Sequence, residues 1–359
     1  MVSHEVFSKL CLVKPVAIFI VFVFVLIIPG NAILLISSDN NNYFGTTSNF
    51  AYGQQQPNQM NSNNITNSLD IHSIPAKKVH VGDIEIAYKT FGKGAPILLV
   101  SGAGGDMNGW EPSTLKVLSS NHTVIVFDNR GVGNTTTGSK PFSIQQFAND
   151  TAGLLDALKI LKADVLGYSM GSFVAQQLTV TNPEKVNRLI LVAASCGGKE
   201  GIPQSPQLQK MGIDIVNKSL NNISVSQEEM KSLISATLGS GWIRLNPDSL
   251  ETVPEAKDLF ASITPNNSLK QIKAVQSWFA TNWSGICSQL TKISNPTLVI
   301  IGTDDIIVPT VNSLVIAGKI PGAWLVQIKD AGHAIPSQYP DKINRVLQTF
   351  LSVTTTSPS

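Results

Sequence analysis

A series of short, almost entirely apolar runs constrains the fold of this chain more than any other feature. Helical periodicity separates most of these runs, at 144–161, 171–182, 310–319 and 337–351. Apolar runs of this kind are typical of strands covered on both faces, and the order strand, helix, strand indicates parallel neighbours. The sequence therefore predicts an α/β fold with a doubly wound, mostly parallel sheet. The runs are Pro96–Val100, Thr123–Phe127, Ala163–Leu166, Leu189–Val192, Thr297–Ile301 and Trp324–Ile328.

Two alternating segments precede the apolar runs. Lys78–Val81 and Ile84–Tyr88 alternate apolar and polar residues, and Gly82-Asp83 lies between them. Alternation with a two-residue turn predicts an antiparallel hairpin. The predicted sheet therefore has eight strands, the first two of them in this hairpin.

One connection is much longer than the others. About 100 residues separate the sixth strand, which ends near Ala194, from the seventh, which starts near Thr297. An ordinary crossover needs only about 10 to 15 residues. This segment predicts a helical cap inserted between the sixth and seventh strands, with helical patterns at 206–220, 226–238, 255–263 and 268–291.

The cap carries three aromatic residues that bear on its role. Trp278, Phe279 and Trp283 are candidates for lining an apolar substrate pocket. Packing of the cap against the core is the alternative interpretation, because large aromatic side chains also dominate protein cores. The sequence favours packing without deciding between the two.

Residues 1–37 predict a signal peptide or membrane anchor. Lys9 and Lys14 precede an unbroken apolar run of 13 residues, Val16–Ile28, which has the length of a signal sequence. The whole of 15–37 would span a bilayer with a break at its middle. In either case the two lysines stay in the cytoplasm and the remainder is exported. We expect an extracytoplasmic protein, either anchored by this segment or secreted after its cleavage.

The remaining boundaries follow from changes in composition. Residues 38–75 are rich in Asn, Ser and Gln and predict a flexible tether. The α/β core comprises 76–196 and 294–353, the helical cap 197–293, and a tail 354–359.

Charge and cysteine content exclude several functions. The net charge is +2 without a block of Lys or Arg, which argues against a nucleic-acid partner. The three cysteines, Cys11, Cys196 and Cys287, are too few for a disulfide framework and lack the C-x-x-C spacing of structural zinc. The sequence leaves undecided whether Cys196 and Cys287 form a disulfide. The sequence predicts no metal and no organic cofactor, and it makes no prediction of oligomeric state.

Ser169 is the candidate nucleophile. Gly167-Tyr-Ser-Met-Gly171 follows an apolar run and begins a helical pattern, so G-x-S-x-G stands between a predicted strand and a predicted helix. This position gives the motif its meaning, because a sharp, strained turn there holds a serine hydroxyl above the sheet.

His333 is the candidate base. Histidine commonly activates a serine, and His333 is the only histidine that follows Ser169 in the chain. It lies just beyond the last predicted strand, where sites form in parallel sheets. Asp304 and Asp305, which leave the preceding strand, are both candidates for orienting its imidazole, and each could instead cap a helix.

From about 78 to 352 the chain resembles enzymes of the α/β-hydrolase fold, whose triad runs Ser, acid, His. The segment Gly302–Pro309 is similar to the family's G-x-x-D-x-x-V-P, a resemblance that selects Asp305 over Asp304. Asp128–Gly133 resembles the D-x-R-G-x-G turn after the fourth strand, a scaffold feature of the family. Serine at the turn sets the chain apart from the haloalkane dehalogenases and epoxide hydrolases, which use aspartate.

The resemblance also implies an oxyanion hole. Its donors are the N–H of the residue after the nucleophile, here Met170, and an N–H of the glycine-rich loop after the third strand, here Ala103. Many relatives have His-Gly where this chain has Ser101-Gly102, a change that leaves backbone donors in place.

The expected function is hydrolysis of a small ester or lactone through an acyl-enzyme on Ser169. Amide or carbon–carbon cleavage stays open, because the same triad serves them and a fold does not determine its substrate. The alternative from another class is a membrane-tethered binding protein that keeps the fold and has lost catalysis.

Overall fold

The structure is a computed structural model that describes residues 69–283 and 285–353. The predicted anchor at 1–37, the tail at 354–359 and most of the tether at 38–75 lie outside the described residues. Among the helices that are described, none combines the length and apolar character needed to cross a bilayer.

Within the described residues, eight strands form one sheet. They are β1 (Lys77–Val81), β2 (Ile84–Gly92), β3 (Ala95–Val100), β4 (His122–Phe127), β5 (Ala163–Tyr168), β6 (Val186–Val192), β7 (Thr297–Gly302) and β8 (Trp324–Ile328). Their order is β1-β2-β4-β3-β5-β6-β7-β8. The pairs β1–β2 and β2–β4 are antiparallel and all other neighbours are parallel. The predicted hairpin and the mostly parallel α/β sheet are confirmed.

Helices cover both faces of this sheet. All six residues of β5 and of β7 are buried, and successive side chains of a strand point to opposite faces. Helix α1 packs against α11, and helix α2 packs against α3. The helices are α1 (Pro112–Ser119), α2 (Ile144–Ala157), α3 (Met170–Thr181), α4 (Pro206–Leu220), α5 (Gln227–Leu238), α6 (Ser240–Leu245), α7 (Ala256–Leu259), α8 (Pro265–Trp278), α9 (Val311–Lys319), α10 (Ile335–Gln338) and α11 (Pro340–Ser352).

Side-chain caps set the start of several helices. The hydroxyls of Ser143, Ser205, Ser226 and Thr264 each accept a backbone N–H three residues later, which begins α2, α4, α5 and α8. Such a cap satisfies one of the donors that a helix leaves unpaired in its first turn. Glu229 returns a bond to the Ser226 N–H and completes a capping box at α5.

The prediction that every apolar run is buried on both faces is wrong for β8. Its apolar run predicted burial on both faces, yet Trp324 is 42% exposed and Leu325 is 38% exposed. The reason is position, because β8 is the last strand of the sheet and has a neighbour only in β7. Trp324 compensates in part by packing edge-on against Phe350 of α11, with 5.5 Å between ring centroids.

The segment between β6 and β7 forms the five helices α4 to α8, and we call it the insertion. It has a hydrophobic cluster of its own, built around Val216, Met230 and Ile234, all fully buried. The helix predicted over 268–291 ends at Trp278 instead. Ile286 and Leu290, which fit the helical period, are buried in the main core, so tertiary packing overrides the local pattern there.

A disulfide joins the two ends of the insertion. Cys196 follows β6, Cys287 precedes β7, and their Cα atoms are 5.0 Å apart. The bond closes a loop with a sequence separation of 91 residues. The pairing that the sequence left open is therefore present.

Candidate active site

Ser169 lies on a strained turn between β5 and α3. Its backbone has φ 54° and ψ −122°, which is unusual for a residue with a side chain. Both flanking glycines are required by close contacts. A Cβ on Gly167 would lie 2.3 Å from the Gly171 carbonyl oxygen, and one on Gly171 would lie 2.0 Å from that of Val100. The motif therefore folds as the sequence predicts, with the serine at the carboxyl end of the sheet.

The structure brings Ser169, His333 and Asp305 together in one hydrogen-bonded chain. His333 Nε2 lies 3.0 Å from Ser169 Oγ, and His333 Nδ1 lies 2.7 Å from Asp305 Oδ2. All three residues are buried. With Nδ1–H donating to the carboxylate, Nε2 presents its lone pair to the serine hydroxyl.

The Asp305 carboxylate is oriented by its own loop. Its Oδ1 accepts the N–H groups of Ile307 and Val308, both at 2.9 Å. These two bonds leave Oδ2 to accept from the imidazole. The loop after β7 thus fixes the direction in which Asp305 holds His333.

Asp304 has a different role. It accepts the Gly241 N–H at 2.7 Å and the Ser240 hydroxyl at 3.1 Å, at the start of α6. Burial acts to raise the pKa of Asp304, but these hydrogen bonds and the nearby Arg244 outweigh it and lower the pKa. Asp304 is therefore a carboxylate at a helix N-terminus, the alternative that the sequence left for either aspartate.

The insertion holds the loop that carries His333. The Thr237 carbonyl of α5 accepts the N–H groups of His333 and Ala334, at 2.8 and 3.2 Å. From the core side, the Tyr168 hydroxyl donates to the His333 carbonyl at 3.0 Å. Burial, followed by the charge of Asp305, raises the pKa of Tyr168, which keeps this phenol protonated as a donor. Sequence reasoning found neither Thr237 nor Tyr168, because one acts through its backbone and the other across 165 residues.

The two predicted oxyanion donors are backbone groups of buried residues. Met170 begins α3, where an N–H has no partner within the helix, and Ala103 lies in the loop after β3. Neither N–H donates a hydrogen bond to any residue that the structure describes. The next donor in the loop, the Gly104 N–H, is bound by Gln271 Oε1 of α8 at 2.8 Å.

The turn after β4 supports the loop after β3 that carries the predicted oxyanion donor Ala103, and we call it the oxyanion loop. Asp128 accepts the N–H groups of Met107 and Asn134, each at 2.8 Å, and burial raises the pKa of its carboxyl. Arg130 is 1% exposed and forms ion pairs with Asp83 and Asp150. The Arg130 ion pairs join the turn between β1 and β2, the turn after β4, and α2, which is a structural role.

The aromatic residues of the insertion pack rather than line a pocket. Trp278 stacks on Phe173 of α3, with 5.8 Å between ring centroids, and donates its Nε1–H to the Ser195 carbonyl. Phe279 meets the same Phe173 ring edge-on, and Trp283 contacts Trp278. Of the two interpretations, packing of the insertion on the core fits these contacts.

In the described part of the chain, no group of three or more His, Cys, Asp or Glu side chains is arranged to hold a metal ion.

Comparison with known proteins adds a family and several relatives. Residues 95–338 match the family described as alpha/beta hydrolase fold. The chain is 27% identical over 271 residues to an Azorhizobium caulinodans protein named for carbamate hydrolysis, RutD, covering 76% of this chain and 96% of that protein. It is 28% identical over 292 residues to a Mycobacterium tuberculosis protein named for non-heme bromoperoxidase activity, BpoC, covering 75% and 98%. The solved structure of a thermophilic esterase from Thermogutta terrifontis is 25% identical, with a TM-score of 0.62 over 77% of this chain and 98% of that one.

Proposed function

The chain belongs to the alpha/beta hydrolase fold family and is an enzyme of that class, and we propose that it is a serine hydrolase of small ester-type substrates. The carrying observation is the buried chain of hydrogen bonds from Ser169 through His333 to Asp305. A serine hydroxyl is a weak nucleophile until a base accepts its proton, and this geometry provides the base and the group that orients it.

The proposed reaction is acyl transfer to water in two steps. Ser169 Oγ attacks the substrate carbonyl while His333 Nε2 accepts its proton, and the carboxylate of Asp305 stabilises the imidazolium. His333 then returns the proton to the leaving oxygen, which departs and leaves an acyl-serine. Water attacks the acyl-serine with His333 again as base, so that an acid is released and Ser169 regains its proton.

The oxyanion of each tetrahedral intermediate is assigned to the N–H groups of Ala103 and Met170. Support comes from their free hydrogen-bonding capacity within the described residues and from their burial, since a water-excluded site strengthens such bonds. Both are backbone groups, so side-chain substitution alone does not remove them.

An ester or lactone is the proposed substrate class. The relatives differ in the reactions for which they are named, carbamate hydrolysis, bromoperoxidation and ester hydrolysis among them. Carbamate and ester hydrolysis share attack on an acyl carbonyl that bears an oxygen or nitrogen leaving group, the chemistry that the triad geometry supports. The esterase likeness at 25% identity favours oxygen as the leaving atom.

We further propose that the enzyme works outside the cytoplasm, held by or released from its N-terminal segment. The apolar run at 16–28 after two lysines and the polar stretch at 38–75 support this location. The disulfide between Cys196 and Cys287 supports it independently, because such bonds persist mainly in oxidising compartments. The folded domain should be found in the medium, or protease added outside intact cells should release it; a cell-bound full chain that resists the protease would contradict this location.

A fluorophosphonate probe tests the proposed chemistry. The wild type should be labelled on Ser169 and Ser169→Ala should not, with circular dichroism showing that both are folded. A catalytically silent binding protein would be labelled no more than Ser169→Ala. A panel of short acyl esters, lactones and matched amides then tests the substrate class, and faster turnover of amides than of esters would contradict it.

A further inference from the structure

Gln271 stands out among the buried polar residues of the insertion. It is 1% exposed, and its Oε1 accepts the Gly104 N–H at 2.8 Å, one residue after the proposed oxyanion donor Ala103. Its Nε2 is buried and has no hydrogen-bond acceptor among the described residues. A buried amide donor without a partner destabilises a folded protein, so this group requires an explanation.

The position of Gln271 is firmly held. Near the start of α8, Asn267 Nδ2 donates to the Gly131 carbonyl and to the Thr137 hydroxyl, each at 3.0 Å. At the other end of the helix, Trp278 donates to the Ser195 carbonyl. Since the core holds α8 at both ends, Gln271 is presented to the oxyanion loop by a rigid element.

The bond to Gly104 settles which way the amide is turned. A backbone N–H needs an acceptor, so the oxygen of Gln271 faces the loop. Oxygen and nitrogen share one planar carbon, so Nε2 also lies beside the loop. Two neighbouring groups there, the Ala103 N–H and the Gln271 amide, thus each retain a buried donor with no acceptor in the described part of the chain.

We propose that Gln271 Nε2 binds the substrate, as a specificity-determining donor to a second hydrogen-bond acceptor close to the scissile carbonyl. The favoured acyl groups carry an oxygen, such as an ether, hydroxyl or keto group, within a few bonds of that carbonyl. This inference rests on the proposed function, because it places the substrate carbonyl at Ala103 and Met170. A site built to donate to a substrate atom discriminates against an analogue that lacks the atom, since the buried donor is then left unpaired.

A pair of esters of equal length isolates this contact. p-Nitrophenyl methoxyacetate and p-nitrophenyl butyrate differ in one ether oxygen that replaces a methylene. Comparing the ratio of their kcat/KM values between wild type and Gln271→Met cancels the intrinsic reactivity of each ester. Methionine has nearly the length of glutamine and donates no hydrogen bond. Gln276→Met, on the same helix and less buried, is the matched control.

We expect Gln271→Met to lower the preference for methoxyacetate about three- to tenfold, the worth of one hydrogen bond, and Gln276→Met to leave it within about twofold. An equal fall for both esters would overturn the proposal, because Gln271 would then only hold the Gly104 loop. An unchanged ratio would overturn it as well. If Gln271→Met does not fold, Gln271→Asn, whose amide is one methylene shorter, serves for the same ratio. Turnover of neither ester by wild type would instead contradict the proposed function.

Discussion

Replacing Asp305 by asparagine tests most directly whether Asp305 orients His333 in the proposed triad. The hydrogen bonds of Asp305 predict why the variant should lose activity. The two N–H donors of Ile307 and Val308 hold Oδ1, so the amide oxygen of Asp305→Asn should remain there. Its Nδ2 then faces His333 Nδ1 with hydrogens where the carboxylate had lone pairs. The imidazole must accept at Nδ1 and carry its proton on Nε2, which presents a donor to Ser169 instead of a base.

The expected loss follows from this tautomer. A triad whose base is held in the wrong tautomer loses about 10⁴ in kcat, equivalent to about 5.4 kcal/mol of transition-state stabilisation at 1.36 kcal/mol per decade. Steady-state hydrolysis of p-nitrophenyl acetate measures it. Asp304→Asn is the matched control, since Asp304 bonds Gly241 and Ser240 rather than His333, and its kcat should stay within about threefold. The reasoning is refuted if Asp305→Asn keeps more than a tenth of wild-type kcat, or if Asp304→Asn falls as far.

Three further predictions concern stability. Gly171→Ala places a Cβ 2.0 Å from a carbonyl oxygen of β3 and should prevent soluble folding, whereas Gly318→Ala, with open space in α9, should stabilise the fold by up to ~1 kcal/mol; a soluble Gly171→Ala variant whose urea midpoint equals that of Gly318→Ala would contradict this pair. Removing the disulfide with Cys196→Ser and Cys287→Ser together should lower the free energy of unfolding by up to about 4.6 kcal/mol for a loop of 91 residues; an unshifted denaturant midpoint would show that the bond stabilises nothing. The hydrogen bond from Lys218 of α4 lowers the pKa of Glu229 from 4.5 to about 2. The stability that this pair adds is therefore complete above pH 4.5 and is lost as the pH falls towards 2. The difference in Tm between wild type and Glu229→Gln should therefore shrink on acidification, and a difference that grows would reverse the assignment.

The sheet could be predicted because its strands are buried on both faces. Almost entirely apolar runs such as that of β7 are typical of strands that helices cover on both faces of a sheet. The same pattern gave a wrong prediction of burial at β8. The order of strands in a sheet depends on the whole topology, so an apolar sequence does not show that its strand lies at the edge. The end of α8 was missed for a related reason. Ile286 fits the helical period, but it lies beyond the end of α8 and is buried in the main core without being part of a helix.

The candidate catalytic residues could be selected because the proposed chemistry requires particular side chains at strand ends. Ser169 and His333 follow from motif and order, and the structure places them within hydrogen-bonding distance. Supporting groups leave no such signal. Thr237 acts through a carbonyl that every residue possesses, and Gln271 reaches Gly104 across 167 residues. Only the folded chain shows which of many glutamines lies beside the oxyanion loop.

Two contacts make the insertion part of the proposed active site rather than a cover over it. The His333 loop is bound to the Thr237 carbonyl of α5, and the oxyanion loop is bound to Gln271 of α8. The proposed base and the proposed oxyanion donors therefore depend on two different helices of the same insertion, whose ends the disulfide joins. A displacement of the insertion that broke either bond would free either the His333 loop or the loop after β3 to move. Since misplacement by about 1 Å can cost about 100-fold in rate, catalysis should require the insertion to stay packed on the core. Deleting the insertion should for this reason abolish turnover even if the sheet and Ser169 survive.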